Sequence, residues 1–94
     1  MYHVYMLASG RHGTLYTGVT NSIRGRLEQH RAGRGSGFVA KYKAHRLVYL
    51  ESYESPGEAI QREKQLKNWK RDWKISLIEA DNPEWMDLSH LIVE

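Results

Sequence analysis

The hydrophobic positions of this chain first form short runs with the composition of β-strands. Three such runs, at 2–8, 14–20 and 46–53, are rich in aromatic and β-branched residues, which favour extended backbone. The first two runs are separated only by the turn-forming residues 9–13, so together they predict a β-hairpin.

The hairpin would bring two phenols together. If Ala8 faces Gly13 across the loop, then Tyr5 lies directly opposite Tyr16, and both side chains project from the same face of the sheet. The pattern therefore predicts a pair of neighbouring tyrosines at a fixed place in the fold.

Apolar residues with helical spacing follow the predicted hairpin. A helix is predicted over residues 22–32, with Thr20 or Asn21 as its N-cap and Gly33 just beyond its C-terminal end. One face of this helix combines apolar and polar side chains at the i, i+3, i+4 and i+7 positions, namely Ile23, Arg26, Leu27 and His30. A cation and a histidine are therefore expected beside the buried stripe.

The next segment, residues 33–46, alternates glycines with cations and carries two aromatic side chains, Phe38 and Tyr42. This composition predicts a mobile basic loop. After the third strand, Ser55-Pro56-Gly57-Glu58 combines a capping box with proline at the first helical position, so a helix is predicted to begin there.

The second predicted helical region has a carboxylate on its apolar face. Glu63 shares the face of four apolar residues, namely Ala59, Leu66, Trp73 and Leu77. A break is expected at residues 68–70, because one continuous helix would be long for so small a domain. Asp81-Asn82-Pro83 ends the region. Three apolar tail residues are expected to dock on the body: Trp85, Leu88 and Leu91.

Composition narrows the class of protein. With 94 residues, we expect residues 1–94 to form a single small domain, and 40% hydrophobic with 27% charged residues is typical of a globular chain. The absence of cysteine excludes disulfides, thiolate metal sites and a cysteine nucleophile. No apolar run could span a bilayer and the start lacks a signal-peptide pattern, so we expect a cytoplasmic protein with no membrane contact, monomeric by default.

The charge distribution is uneven along the chain. All 14 Lys and Arg residues lie within residues 1–78, whereas residues 79–94 contain only acidic charges. A basic body attracts polyanions, of which nucleic acid is the most common inside cells. A solvated surface with no partner is the alternative explanation of the charge alone.

Several residues together resemble a known family. Val4-Tyr5-Met6, Tyr16-Thr17-Gly18 and Thr20-Asn21 are followed by Arg26 and, four positions later, by His30. This order and spacing resembles the GIY-YIG nuclease domain. The segments Arg62-Glu63-Lys64-Gln65-Leu66-Lys67-Asn68-Trp69 and Asn82-Pro83-Glu84-Trp85 resemble its small stand-alone bacterial branch. The resemblance implies an α+β sandwich in which a three-stranded antiparallel sheet is flanked by helices in β-β-α-β-α-α order.

The same resemblance implies hydrolysis of DNA phosphodiesters with one divalent cation, Mg²⁺ or Mn²⁺, and a role in DNA repair or recombination. Glu63 would bind the cation and Arg26 would bind the scissile phosphate. Tyr5 or Tyr16 would accept a proton from the attacking water, provided that a neighbouring cation lowers its pKa. His30 would position water or phosphate, or relay the proton.

Other positions have supporting roles in this hypothesis. Gly18 would mark a close approach of the backbone to phosphate or of strand to helix, and Thr20 and Asn21 are assigned structural roles. Ten cations are candidate DNA contacts: Arg24, Arg31, Arg34, Lys41, Lys43, Arg46, Lys67, Lys70, Arg71 and Lys74. A base could stack on one of the two loop aromatics. Weak sequence preference is expected, with branched, frayed or single-stranded DNA as candidate substrates.

Two departures from the family pattern keep alternatives open. Ile75 stands where many members have an asparagine, and Val19 stands where the excision-repair relatives have a lysine. A nucleic-acid-binding domain that retains the fold without catalysis is therefore one alternative. An interaction domain whose acidic tail, residues 79–94, covers the basic face is another.

Overall fold

Residues 1–92 are described by a computed structural model and form a three-stranded sheet with helices on both faces. The strands are β1 (Tyr2–Ala8), β2 (Leu15–Thr20) and β3 (Arg46–Tyr53). The α-helices are α1 (Ile23–Arg31), α2 (Gly37–Tyr42), α3 (Pro56–Asn68) and α4 (Arg71–Asp81), and a short 3₁₀ helix covers Ser89–Leu91. No helix within this part of the chain has the length and apolar character needed to cross a membrane.

The sheet has the order β2-β1-β3, and both pairs are antiparallel. β1 is therefore the central strand, and its residues Val4 through Ala8 are fully buried because helices cover both faces. β2 and β3 are the two edges. The α+β class and the antiparallel sheet predicted from the sequence are confirmed.

The predicted hairpin register is wrong by two residues. Tyr5 pairs with Gly18, and Tyr16 pairs with Leu7. The loop is longer than predicted, because two hydrogen bonds join Ser9 to Thr14. The Thr14 N–H donates to the Ser9 hydroxyl at 2.9 Å, and the Ser9 N–H donates to the Thr14 carbonyl at 3.1 Å. A shift of two preserves the side-chain face, so the two phenols remain diagonal neighbours with ring centroids 6.2 Å apart.

Each face of the sheet carries its own hydrophobic core. The first core contains Val4, Met6, Ala8, Val48, Tyr49, Ala59, Leu66, Ile78 and Trp85, and it lies between the sheet and the pair α3 and α4. The second contains Tyr5, Leu7, Ile23, Leu27, Val39, Ala44 and Leu47, and it lies between the sheet and the pair α1 and α2. The alternation of side chains along β1 supplies both cores.

The predicted end of α1 is confirmed but its predicted cap is wrong. Ser22 is the N-cap residue and makes no side-chain capping bond. The Thr20 hydroxyl instead accepts from the Ser22 backbone N–H at 3.1 Å, which fixes the chain just before the helix. At the other end Gly33 has a left-handed φ of 77°, a conformation that glycine adopts without steric cost.

The segment predicted as a mobile loop contains a helix, α2. The Ser36 hydroxyl caps it by accepting from the Phe38 N–H at 3.1 Å, and Lys43 ends it with a left-handed φ of 54°. Val39 anchors the helix in the second core. Six residues are too few to display a helical period, and the flanking glycines are typical of loops, so the sequence pattern does not predict α2. The observed order is therefore β-β-α-α-β-α-α.

The start of α3 and the break after it are confirmed. The Ser55 hydroxyl accepts from the Glu58 N–H at 3.4 Å, and Trp69 and Lys70 have extended backbone between α3 and α4. The break resets the helical phase, so the predicted inward position of Trp73 is wrong. Its side chain is 55% exposed, and Ile78 enters the core in its place.

The tail returns to the body through Asn82, which caps α4. Its side-chain amide is buried and donates to the Val48 carbonyl at 3.1 Å. Trp85 is fully buried and Leu88 packs on the second core, so docking is confirmed for these two residues. It is wrong for Leu91, which ends the 3₁₀ helix and is 56% exposed.

Candidate functional site

Four of the five residues predicted to form the site meet on the face of the sheet that packs on α1. We call Tyr5, Tyr16, Arg26 and His30 the phenol cluster. Tyr5 lies on the central strand, Tyr16 on the β2 edge, and Arg26 and His30 one turn apart on α1. The His30 ring lies 6.0 Å from the Tyr5 ring and 5.3 Å from the Tyr16 ring, measured between centroids.

The hydrogen bonds of His30 define the direction of its contact with Tyr5. The Ser36 backbone N–H points to His30 Nδ1 at 3.4 Å, so Nδ1 is the acceptor. Burial, with the charges of Arg26 and His45, lowers the pKa of His30, so the ring is neutral at pH 7. Its proton is therefore on Nε2, which donates to the Tyr5 hydroxyl oxygen at 3.0 Å.

Two glycines make room for this arrangement. A Cβ on Gly18 would lie 2.5 Å from the Tyr5 hydroxyl, and a Cβ on Gly35 would overlap the His30 ring. Gly18 was expected to face phosphate or a helix, but its close neighbour is the Tyr5 phenol of the paired strand. Both glycines are needed because aromatic rings occupy the space of a side chain.

Tyr5 is poorly suited to accept a proton. Its side chain is fully buried, and burial raises its pKa to about 12 although a hydrogen bond from Arg26 opposes the rise. The Tyr16 hydroxyl also interacts with Tyr5 and contributes to the increase. The expectation that a neighbouring cation lowers the pKa of the proton-accepting tyrosine is therefore wrong for Tyr5, because desolvation exceeds the effect of Arg26.

Arg26 connects the cluster to solvent. Hydrogen bonding to Tyr5 raises the pKa of the guanidinium, so the group stays charged. Its Nη1 donates to Gln29 Oε1 at 3.0 Å. In the described part of the chain no carboxylate forms an ion pair with Arg26, so its charge is available to an anion.

Two cavities lie along the β2 edge, where the strand has no neighbour on one side. The first, of about 520 Å³, is lined by Arg26 of α1 and by Ile60 of α3. The second, of about 250 Å³, is lined by Tyr16 of β2 and by Lys67 of α3. We call these two cavities together the β2 groove.

Glu63 lies on α3 between two residues that line the β2 groove, Ile60 and Lys67. It follows Ile60 by three positions and precedes Lys67 by four, so the three side chains share one face of the helix. The Glu63 side chain is only 13% exposed, and its Oε2 lies 2.9 Å from Lys67 Nζ. The carboxylate therefore lies on the same face of α3 as two residues that line the groove, and it forms an ion pair with one of them, Lys67.

The donor set of the groove restricts which metal ion would fit. Within residues 1–92 no group of three His, Cys, Asp or Glu side chains could hold a metal, so an ion enclosed by protein ligands does not fit. One carboxylate does fit a hard cation such as Mg²⁺, which retains most of its water. Thr17 Oγ1, in the same groove, is buried and has no hydrogen-bond partner, so a further oxygen is available there.

The ten cationic residues predicted to contact DNA differ in their contacts and exposure. Four of them each donate to a backbone carbonyl of a distant segment and so hold the fold together, namely Arg24, Arg31, Arg46 and Arg71. Lys67 and Lys74 line the β2 groove. The other four lie exposed on the surface: Arg34, Lys41, Lys43 and Lys70.

Sequence reasoning missed a second polar cluster on the opposite face of the sheet. Tyr49, Glu51, Tyr53 and Arg62, which we call the Glu51 cluster, surround one carboxylate. Glu51 accepts from the Tyr49 hydroxyl, from the Tyr53 hydroxyl at 2.8 Å, and from Arg62 Nε at 3.0 Å. The alternation of positions 49, 51 and 53 along one strand is a signal that could have revealed it.

Comparison with known proteins supplies the family. Residues 1–76 match the GIY-YIG catalytic domain. The chain belongs to the GIY-YIG family. Every member of the phenol cluster, and Glu63, lies within the matched residues of this GIY-YIG domain.

Relatives of the GIY-YIG chain are stand-alone bacterial proteins. The UPF0213 proteins of Staphylococcus aureus strains Mu3 and N315 are each 34% identical over 76 residues, covering 81% of this chain and 93% of theirs. The solution NMR structure of a UPF0213 protein from Bacillus halodurans matches with a TM-score of 0.58 and 26% identity over the full length of both chains. The predicted family and its stand-alone branch are thus confirmed. GIY-YIG is a nuclease family, so nucleic acid is the general substrate class.

Proposed function

We propose that this protein hydrolyses phosphodiester bonds in DNA with a divalent cation held at Glu63. The observation that carries the proposal is the β2 groove, which is lined by Arg26 and Tyr16 of the phenol cluster. It is also lined by Ile60 and Lys67, which share one face of α3 with Glu63. A scissile phosphate in this groove would have a guanidinium, a phenol and a carboxylate within its reach. These are the groups that bind phosphate, accept a proton and hold a metal.

Arg26 is proposed to bind the phosphate. Its guanidinium has five N–H donors, of which the contacts with Gln29 and the Tyr5 hydroxyl use only part. The group keeps its charge and has no carboxylate partner among the described residues. Donation to two phosphate oxygens would stabilise the charge that develops during hydrolysis.

Tyr16 is proposed to accept the proton of the attacking water. Of the two tyrosines it is the one that lines the groove, whereas Tyr5 is fully buried with a raised pKa. His30 donates to the Tyr5 oxygen, which leaves the Tyr5 hydroxyl proton free to point to Tyr16. Tyr5 would then stabilise the Tyr16 phenolate by donating a hydrogen bond to it, and His30 would keep this bond in place.

Glu63 is proposed to hold Mg²⁺ or Mn²⁺. When bound, such a cation withdraws charge from a phosphate oxygen and lowers the pKa of a coordinated water. Binding requires the Glu63 carboxylate to exchange or share its contact with Lys67. The exposed Lys67 side chain, 51% accessible, can then turn to the DNA backbone.

The test is cleavage of plasmid, flap and single-stranded DNA with Mg²⁺ or Mn²⁺. Glu63→Gln, Arg26→Lys and Tyr16→Phe should each reduce the rate by about 100-fold or more. Glu54→Gln, which removes a carboxylate from an exposed position outside the groove, is the matched control and should keep full activity. Cleavage that survives all three substitutions would come from a contaminating nuclease and would refute the proposal.

Binding without hydrolysis is the second candidate function. The ion pair between Glu63 and Lys67 favours it, because it occupies one oxygen of the proposed metal ligand. Salt-dependent DNA binding with no turnover under any divalent cation would establish this function instead.

A further inference from the structure

Two aromatic rings of α2 are exposed although the helix does not need them for its own packing. Phe38 is 41% and Tyr42 is 44% exposed, and their ring centroids are 4.9 Å apart. The buried residue of α2 is Val39, which anchors the helix in the second core. A pair of neighbouring rings in solvent costs hydration free energy, so a partner for their faces is expected.

These rings continue directly from the phenol cluster. The Phe38 ring lies 6.1 Å from the Tyr16 ring, which in turn lies 5.3 Å from the His30 ring, measured between centroids. His30, Tyr16, Phe38 and Tyr42 thus form one row that runs from the buried site to the surface. A ligand held at Tyr16 would extend over the α2 rings.

Cations accompany the same row. Lys41 Nζ lies 5.3 Å above the Tyr42 ring, and Lys67 and Lys74 line the cavity that Phe38 and Tyr16 also line. Burial lowers the pKa of Lys74, and repulsion by Arg71 and Lys67 adds to the effect. In the described residues no carboxylate forms an ion pair with the Lys74 ammonium. Such a concentration of positive charge is stabilised by an anion.

The combination of rings and cations selects one class of ligand. Exposed rings alone would suit an apolar peptide, and cations alone would suit any polyanion. A duplex presents phosphates but keeps its bases stacked inside, where the α2 rings cannot reach them. Unpaired nucleotides present both phosphates and free base faces, which stack on aromatic rings.

We propose that Phe38 and Tyr42 form a stacking platform for unpaired bases, and that single-stranded or frayed nucleic acid is therefore the substrate of the β2 groove. The part of the inference that concerns the cleaved substrate rests on the proposed function. The part that concerns the stacking site does not, because binding without cleavage tests it.

The experiment measures binding of labelled single-stranded oligonucleotides, DNA and RNA, and of a hairpin duplex of the same composition by fluorescence anisotropy in EDTA. Phe38→Ala and Tyr42→Ala should each weaken single-strand binding by about 5- to 100-fold, because each removes a stacking surface. Binding of the duplex should change less than about twofold. Tighter binding of the single strand than of the duplex, with either sugar, supports the inference.

Three further variants separate stacking from other roles. Phe38→Trp retains an aromatic face and should keep the affinity, whereas Phe38→Leu retains an apolar side chain without a π face and should lose it. Leu91→Ala, another exposed apolar residue, is the matched control and should bind as the parent protein does. Thermal unfolding of each variant establishes that the fold is intact.

The outcomes distinguish this inference from the proposed function. If Phe38→Leu binds as tightly as the parent, or if both α2 substitutions weaken duplex and single strand equally, the stacking platform is refuted. If single-strand preference is lost in the α2 variants but no metal supports cleavage by the parent protein, the platform stands and the proposed function fails. If cleavage depends on Glu63 while both α2 variants bind the single strand as tightly as the parent protein does, the platform is refuted and the proposed function is left intact.

Discussion

The two faces of the sheet carry clusters of similar composition that differ in one residue type. The phenol cluster and the Glu51 cluster each contain two tyrosines and one arginine. In the Glu51 cluster a carboxylate accepts from both phenols and from the guanidinium, and the pair of Arg62 with Glu51 is about four-fifths buried. In the phenol cluster a neutral histidine takes the place of the carboxylate.

This difference decides what each arginine can do. Burial alone would raise the pKa of Glu51, but hydrogen bonds from Arg62 and the two phenols outweigh burial and hold it below its usual value. The charge of Arg62 is thereby compensated inside the protein. The charge of Arg26 is not compensated by a carboxylate in the described residues, so it can bind an anion from outside. One cluster therefore stabilises the fold, and the other is suited to a substrate.

Exchanging arginine for lysine in each cluster should separate the two roles most strongly. Arg26→Lys keeps the charge but loses the two-pronged donor geometry, so DNA cleavage should fall by about 100-fold or more while the free energy of unfolding changes by less than about 1 kcal/mol. Arg62→Lys should retain cleavage below its unfolding temperature. Equal loss of cleavage in both variants would contradict the division of roles.

Removing the cation of the Glu51 cluster should have the largest effect on stability. Arg62→Ala leaves a mostly buried carboxylate without its positive partner, which should reduce the free energy of unfolding by about 3 kcal/mol. Urea unfolding measures the loss. The double variant that adds Glu51→Gln should recover part of it, because no uncompensated charge then remains. A double variant less stable than Arg62→Ala would show that the ion pair is not the main contribution.

The position of the His30 ring should be sensitive to the addition of one methyl group. Gly35→Ala places a Cβ against the Nδ1 side of the His30 ring, so the ring must shift from its position against Tyr5, and stability should fall by about 1 to 2 kcal/mol. Gly37→Ala is the matched control, because its Cβ would meet no atom within 4 Å. Cleavage should fall about tenfold in the first variant only. Equal unfolding temperatures for the two variants would contradict a close contact between residue 35 and His30.

The sequence predicted the residues of the phenol cluster better than their geometry. Tyr5 and Tyr16 were correctly predicted to share a face of the sheet although the predicted register was wrong, because a shift of two residues keeps each side chain on the same face. The bounds of β1 and β3 and the start of α3 followed from local signals, namely β-branched composition and the capping box at Ser55. Such features depend on residues within a few positions of one another.

Features that depend on distant residues were not predictable. α2 forms because Val39 packs in a core built by other strands and helices, and no pattern within its six residues predicts this packing. The direction of the Tyr5 pKa shift depends on complete burial, whereas the sequence shows only that a cation is nearby. Trp73 was misplaced because the break before α4 changes the helical phase by an amount that only the packing determines.

The smallest expected difference between the two clusters is in the pH dependence of stability. The folded pKa of His30 lies below its unfolded value of 6.5, so the neutral ring favours folding, and this contribution is full above pH 6.5 and declines as the pH falls below it. The folded pKa of Glu51 lies below its unfolded value of 4.5, so its contribution is full above pH 4.5 and is lost only in more acidic solution. Thermal unfolding between pH 8 and pH 3 should therefore show two separate declines.

Single substitutions should weaken these declines one at a time. His30→Gln, which keeps a donor but does not titrate, should flatten the upper decline, which begins at pH 6.5. Glu51→Gln should reduce the decline below pH 4.5 and leave the upper decline intact, and the lowered pKa values of Glu79 and Asp87 account for the part of the lower decline that remains. An upper decline that persists in His30→Gln would mean that another group titrates there, and the neutral histidine would no longer explain why the phenol cluster leaves Arg26 free for phosphate.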